Sequence, residues 1–170
     1  VAAFCAAPHL RSLRSLDLGS CPLREVADKD ALAGHVAGAT FARNLRRLNL
    51  SYCRLTATGL LRVAGSAVFG RLRHLDLTDN PTGSDAPAAV FHSPHLTAVT
   101  SVKLNANHLR AFATSPMAKR ACRLAVRWSD RDGWQDDPPE VPGWAELIAA
   151  APPPARLTLE NHNPGAAAFR

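Results

Sequence analysis

Six stretches of the chain can be laid over one another: LRSLDLGSCPL from Leu13, LRRLNLSYCRL from Leu45, LRHLDLTDNPT from Leu72, VTSVKLNANHL from Val99, and the more divergent ACRLAVRWSDR from Ala121 and PARLTLENHNP from Pro154. Successive starts are 32, 27, 27, 22 and 33 residues apart. A period in this range implies stacked units, each burying its apolar side only against its neighbours. The chain is therefore expected to form an elongated array rather than a shell around one closed pocket.

Within each unit the apolar residues fall at positions 1, 4 and 6, as in Leu45, Leu48 and Leu50 or Leu72, Leu75 and Leu77. The alternation Leu16-Asp17-Leu18 or Leu75-Asp76-Leu77 has the period of two of a strand. Between strands the pattern turns helical. Residues 28–39 and 56–69 are predicted helices, with Leu60, Leu61, Ala64 and Val68 sharing the second one's buried face. Asp28 or Asp30 and Thr56 or Thr58 are candidate N-caps. Pro8 and Pro94, each in a Pro-His-Leu triplet, and Pro116 lie five residues before a repeat start, where proline would stop a helix and aim the chain into the next strand.

The pattern LxxLxLxxN/CxL resembles the leucine-rich repeat, and intervals of 27 and 32 residues with helical returns look most like its ribonuclease-inhibitor-like class. The resemblance covers residues 10 to about 126 well. Its ninth position is Cys21, Cys53, Asn80 and Asn107, where a turn needs a buried side-chain partner or a small filler. Together with Leu16, Leu18, Leu48, Leu50, Leu75, Leu77, Val102 and Leu104 these are read as structural repeat positions. The implied fold is α/β: a leucine-rich-repeat solenoid of about six units forming a short arc. Parallel strands line its concave face and helices its convex face, because strands pack about 4.8 Å apart and helices about 10 Å.

Positions 3, 5 and 7 of each unit should face out of the concave sheet. The middle column runs Asp17, Asn49, Asp76, Lys103, Ala125, Thr158, so charge is expected to change from acidic to basic along the arc and to orient a partner. Arg47, Asn49, His74, Asp76, Lys103, Asn105, Arg123, Arg127 and Trp128 are the candidate partner-binding residues. Arginine and tryptophan are prominent among them because both are enriched at binding hot spots.

No catalytic site is expected. The chain has no GxSxG elbow and no glycine-rich phosphate loop. Seven histidines show no ligand spacing, and the four cysteines form no CxxC pair, so no metal, cofactor or disulfide is expected. The segment SDRDGWQDDPPE places five carboxylates in eleven residues but lacks EF-hand spacing, and reads as a solvated acidic loop rather than a calcium site. The formal net charge of +6 invites a nucleic-acid partner. Against it, only Lys29, Lys103 and Lys119 of the 20 basic residues are lysine, and the arginines are spread over the repeats without forming a run.

Residues 1–127 are expected to form the array, with 1–9 the end of a preceding unit. Residues 128–170 would form a divergent last unit and C-terminal cap, with a short helix at 142–150. With no apolar run long enough for a membrane span and no signal-like leader, the default location is the cytoplasm. The favoured function is a protein–protein interaction scaffold binding an unidentified protein through the concave face and strand-end loops, as a monomer or as part of a longer chain. A nucleic-acid-associated basic domain and a purely structural segment of a longer array are the alternatives.

Overall fold

The computed structural model describes residues 2–20, 28, 30–83, 86–128 and 155–161. The sixfold alignment appears there as one parallel sheet. Its strands are β1 (Ser15–Asp17), β2 (Arg47–Asn49), β3 (His74–Asp76), β4 (Ser101–Asn105), β5 (Arg123–Trp128) and β6 (Arg156–Asn161), adjacent in chain order. The register follows the repeat column by column. Leu16, Leu48, Leu75, Val102, Leu124 and Leu157 stand opposite one another, as do Asp17, Asn49, Asp76, Lys103, Ala125 and Thr158.

Between the strands run the helices α1 (Ala2–Cys5), α2 (Ala31–Gly38), α3 (Ala57–Ala64), α4 (Ala86–Phe91) and α5 (Leu109–Ala113). Each packs on the next, which leaves the sheet and the helices as two layers around one core. Short 3₁₀ segments lead back toward the strands, at Pro8–Ser12, Thr40–Asn44, Ala67–Phe69 and Ala118–Arg120. Pro8 opens one of them, and α4 and α5 both end before Pro94 and Pro116.

The repeat leucines fill the core. Leu45, Leu50 and Leu72 are completely buried, and Leu48 and Leu75 nearly so. Removing one such side chain costs about 2–5 kcal/mol through lost transfer energy and the cavity left behind. Phe41, Phe69, Phe91 and Phe112 complete the interior beneath the helices, with Phe91 edge-on to Phe112 at 5.4 Å between ring centroids. At the last strand, Leu157 and Leu159 are 44% and 52% exposed.

Several sequence expectations are corrected. The predicted helix 56–69 is two elements, because the chain leaves the helix at Gly65 and re-forms a 3₁₀ turn at Ala67. Its buried face is Leu60, Val63 and Ala64, at helical i, i+3 and i+4. Leu61 points away from that face and is 55% exposed.

The caps are divided between residues. Thr56 caps α3, its hydroxyl accepting from Thr58 N at 3.2 Å. The Asp28 carboxylate accepts from Asp30 N at 2.9 Å and Ala31 N at 3.1 Å, and so caps α2. Asp30 instead reaches across to the next unit, accepting from Thr56 N at 2.9 Å and from the Thr56 hydroxyl. Gly59 is required beside it, since an added Cβ would fall on the Asp30 carboxylate.

Asn107 is exposed, against the expectation for the ninth position. A 3₁₀ turn, Ala106–His108, follows β4 at once and swings Asn107 outward. Cys21, the 130–140 loop, the 142–150 helix and most of the expected cap lie outside the described residues.

Candidate partner-binding face

The two ends of the strands do different work. At the strand-end edge the chain must turn from sheet toward helix, and it does so through a left-handed residue at position 8. Ser20, Tyr52 and Asp79 have φ of 58°, 55° and 58°. The ninth residue then satisfies the turn from inside. Cys53 Sγ donates to Leu18 O at 3.1 Å and to Ser51 O at 3.5 Å. In the next unit Asn80 Nδ2 donates to Leu50 O at 2.8 Å, Leu77 O at 3.0 Å and Thr78 O at 3.3 Å, while its Oδ1 accepts from Leu55 N at 3.0 Å.

The fifth-position side chains also bend toward this edge. Asp17 Oδ1 accepts from Gly19 N at 2.8 Å, Asn49 Oδ1 from Ser51 N at 2.9 Å, and Asp76 Oδ1 from Thr78 N at 3.0 Å. Asn49 Nδ2 ties its own unit to Asp17 at 2.9 Å. These short-range bonds pull position 7 inward. Ser51, Thr78 and Asn105 are buried, so position 7 does not face the concave surface as the sequence suggested. Asn105, a candidate contact, instead accepts from Asp79 N at 2.9 Å.

Arg127 is likewise committed to the protein itself. Its Nη1 donates to Asp79 Oδ2 at 2.7 Å and to Tyr52 Oη at 3.3 Å, and its guanidinium lies 5.6 Å from the Tyr52 ring centroid. Nε lies 3.7 Å from Glu160, and Glu160 in turn accepts from Lys103 Nζ at 3.0 Å. The network joins strand ends from five of the six units. Burial opposes the charge of Arg127, but the hydrogen bond and Coulomb attraction from Asp79 outweigh it and raise its pKa.

At the same edge His108 is 4% exposed and donates from Nε2 to Gly83 O at 3.1 Å. Burial pulls its pKa down to about 4, against the smaller opposing effect of that bond.

Positions 3 and 5 remain open. Ser15, Arg47, Arg123 and Arg156 are exposed, and Asn49, His74, Asp76, Ser101 and Lys103 are half-buried. Of the candidate contacts, Arg47, Asn49, His74, Asp76, Lys103 and Arg123 therefore share one face. Asn105 does not, Arg127 lies at its edge within an ion pair, and Trp128 is placed only as the last residue of β5.

The polarity of this face has a second component. Besides the change along the arc in the middle column, charge also differs along the strands. The segments leading into the strands, 8–14, 40–46, 66–73, 93–100 and 115–122, contain no Asp or Glu. They carry Arg11, Arg14, Arg43, Arg46, Arg71 and Arg73 in the first three units and Lys119 and Arg120 in the fifth. Asp17, Asp76, Asp79 and Glu160 all lie toward the opposite edge. His74, third in its unit, registers the difference: burial, and then the charges of Arg47, Arg123 and Arg73, lower its pKa.

Beneath the strand starts lies an open cleft of about 560 Å³ lined by Arg11, Thr40, Arg43, Asn44 and Arg71. Sequence reading missed this site because its residues are about 30 positions apart. The signal was present in the repeat itself, as a basic residue one or two places before each of the first three starts. A second missed column is the serine six residues before the third and fourth starts. Ser66 Oγ donates to Ala37 O at 3.0 Å and Ser93 Oγ to Ala64 O, stitching neighbouring helices together.

Among the described residues no group of histidine, cysteine, aspartate or glutamate could hold a metal ion, and no helix is long and apolar enough to cross a membrane. No curated protein and no solved structure matches the chain. A family model described as Leucine Rich repeat matches residues 41–64, which hold β2 and α3. With that unit repeated in register along six parallel strands, the chain is a leucine-rich-repeat protein.

Proposed function

We propose that this array is a protein–protein interaction scaffold that holds its partner on the concave sheet. The observation behind this reading is that positions 3 and 5 form an open polar surface, with Arg47 and Arg123 exposed and Asn49, His74, Asp76 and Lys103 half-buried beside them. Guanidinium groups anchored on strands of one rigid sheet lose little freedom on binding and can form bidentate charge-assisted bonds. The strand-end network of Arg127, Asp79, Tyr52 and Glu160 holds the loops that border this surface, so Arg127 acts by positioning and not as a free contact. The reading assigns the domain no reaction of its own. The unit lengths and helical returns support the ribonuclease-inhibitor-like class of the repeat.

The test is quantitative cross-linking of the wild-type chain and an Arg47→Glu/Arg123→Glu variant to proteins of its native extract. Both residues are exposed, so the fold should survive, as circular dichroism can verify. Partners cross-linked through β2–β5 should be depleted by about tenfold or more, since like charge is placed where complementarity is needed. Identical partners at identical yield would overturn the assignment of this face.

A further inference from the structure

We infer that the strand-start edge is a second recognition surface, built to take an acidic protein segment in extended conformation with carboxylates at alternate residues. The inference rests on the scaffold reading and adds the chemistry of what is bound.

Solvated protein surfaces ordinarily mix the two signs of charge. This edge does not. Arg11, Arg14, Arg43, Arg46, Arg71 and Arg73 project from three successive units, and the described segments that carry them contain no carboxylate. All but Arg46 are exposed. Their internal bonds are to main-chain carbonyls only: Arg14 Nη1 to Ser12 O at 3.4 Å and Arg46 Nη1 to Arg71 O at 3.2 Å. These bonds orient the Arg14 and Arg46 guanidinium groups, and no carboxylate among the described residues pairs with any of the six. The edge is also preformed, since the 3₁₀ segments of the first three units pack on one another and Asn44 Nδ2 donates to Arg11 O at 2.8 Å.

Spacing selects the occupant. The 3₁₀ segments connect a sheet layer that repeats every ~4.8 Å to a helix layer that repeats every ~10 Å. Arg11 and Arg43, at equivalent places on these segments, therefore recur at a spacing between those values, and Arg71, just past the third segment, continues the row. Same-side residues of an extended peptide recur every ~6.6 Å. A segment running along the arc can thus place one carboxylate over each guanidinium, with side chains entering the 560 Å³ cleft the three arginines share with Thr40 and Asn44. Phe41 and Phe69, which are the Phe, Tyr and Trp residues of the strand-start segments in these units, are completely buried, so among these described residues neither offers a platform for stacking nucleic-acid bases. The edge is continuous with Arg47 and His74 on the concave sheet, so one protein partner can engage both.

The test is a fluorescence-anisotropy titration of the full chain against labelled Ser-Glu-Ser-Glu-Ser-Glu-Ser. It is run at about 50 mM salt, where screening is weak. Two comparators are the same peptide composition with its glutamates contiguous and a mixed-sequence duplex of about 20 base pairs. The alternating peptide should bind saturably and better than both. The Arg11→Gln/Arg43→Gln/Arg71→Gln variant should bind it at least about tenfold more weakly. Arg62→Gln, which removes a guanidinium 3.6 Å from Asp28 on the helix side, should bind it like wild type. Absence of saturable binding, equal affinity for the contiguous peptide, or tighter binding of the duplex would each overturn the inference. The titration needs no natural partner. A failed titration beside intact dependence of cross-linking on Arg47 and Arg123 removes this inference alone, and the reverse result removes the concave-face assignment alone.

Discussion

The two edges of one sheet carry similar chemical groups to opposite ends. At the strand-end edge many polar side chains bond within the protein. Asp17, Asn49 and Asp76 brace their own turns, Asn80 and Cys53 bond their own turn and the strand end of the preceding unit, and Arg127 is held by Asp79 and Glu160. At the strand-start edge Arg14 and Arg46 bond main-chain carbonyls, and among the described residues these arginines have no carboxylate partner. The difference follows from the direction of the chain. Leaving a strand for a helix requires a sharp turn with orphaned backbone groups, which must be satisfied. Approaching a strand through a 3₁₀ segment satisfies the backbone locally and leaves the side chains uncommitted.

If this contrast is right, substitutions at the strand-end edge cost stability. The largest loss should come from Asn80→Ala. Asn80 is 6% exposed and serves Leu55 N and three carbonyls from two units. Alanine would take this partner from Leu55 N, Leu50 O and Leu77 O, at about 4 kcal/mol in total, while Thr78 O keeps its bond from Tyr52 N at 3.0 Å. Urea denaturation should show a lower midpoint with an unchanged slope. A loss below about 1 kcal/mol would mean that the turn is held by other groups.

The next effect is a pH dependence. The pKa of His108 falls from 6.5 to about 4 on burial. The unfolded chain therefore takes up this proton first as pH drops. Stability should fall between pH 7 and pH 4, by about 3 kcal/mol from this group at about 1.4 kcal/mol per unit, and the contribution should level off below that window. His108→Gln should remove that slope in denaturation curves measured across the range. A variant with an unaltered slope would place the titration elsewhere.

The repeat was legible because it is written in side-chain type at short range. A period of two with leucine at positions 1, 4 and 6 specifies both the strand and its buried side, and the observed register is that alignment. What escaped was geometry that residue type does not encode. Position 8 adopts a left-handed conformation with Ser20, Tyr52 and Asp79, none of them glycine. Asn105 and Asn107 are the same residue two positions apart, and only the early 3₁₀ turn decides that the first is buried and the second exposed. The arginines looked dispersed because a unit of about 30 residues separates neighbours that the fold sets side by side.

Arg127→Ala tests whether the long-range network is structural. Its removal leaves the Asp79 side chain, 9% exposed, without its charged partner. The expected cost is about 2 kcal/mol, typical of a lost charge-assisted bond that is partly screened. Thermal unfolding of Arg127→Ala, Asp79→Ala and the double variant would measure the coupling. Additive losses would show that the ion pair contributes nothing beyond its separate residues.

The smallest effect on stability is the sharpest test of the contrast. Arg11→Gln, Arg43→Gln and Arg71→Gln remove exposed charges that have no carboxylate partner among the described residues, so each should change stability by less than about 0.5 kcal/mol. The sign should be slightly favourable at low salt, where guanidinium groups on neighbouring units repel one another, and the gain should vanish as salt shortens the screening length to ~3 Å near 1 M. Denaturation at low and high salt reads this directly. A loss above about 1 kcal/mol at both salts would show that these arginines hold the array together as Arg127 does. The two edges would then differ only in where their partners lie.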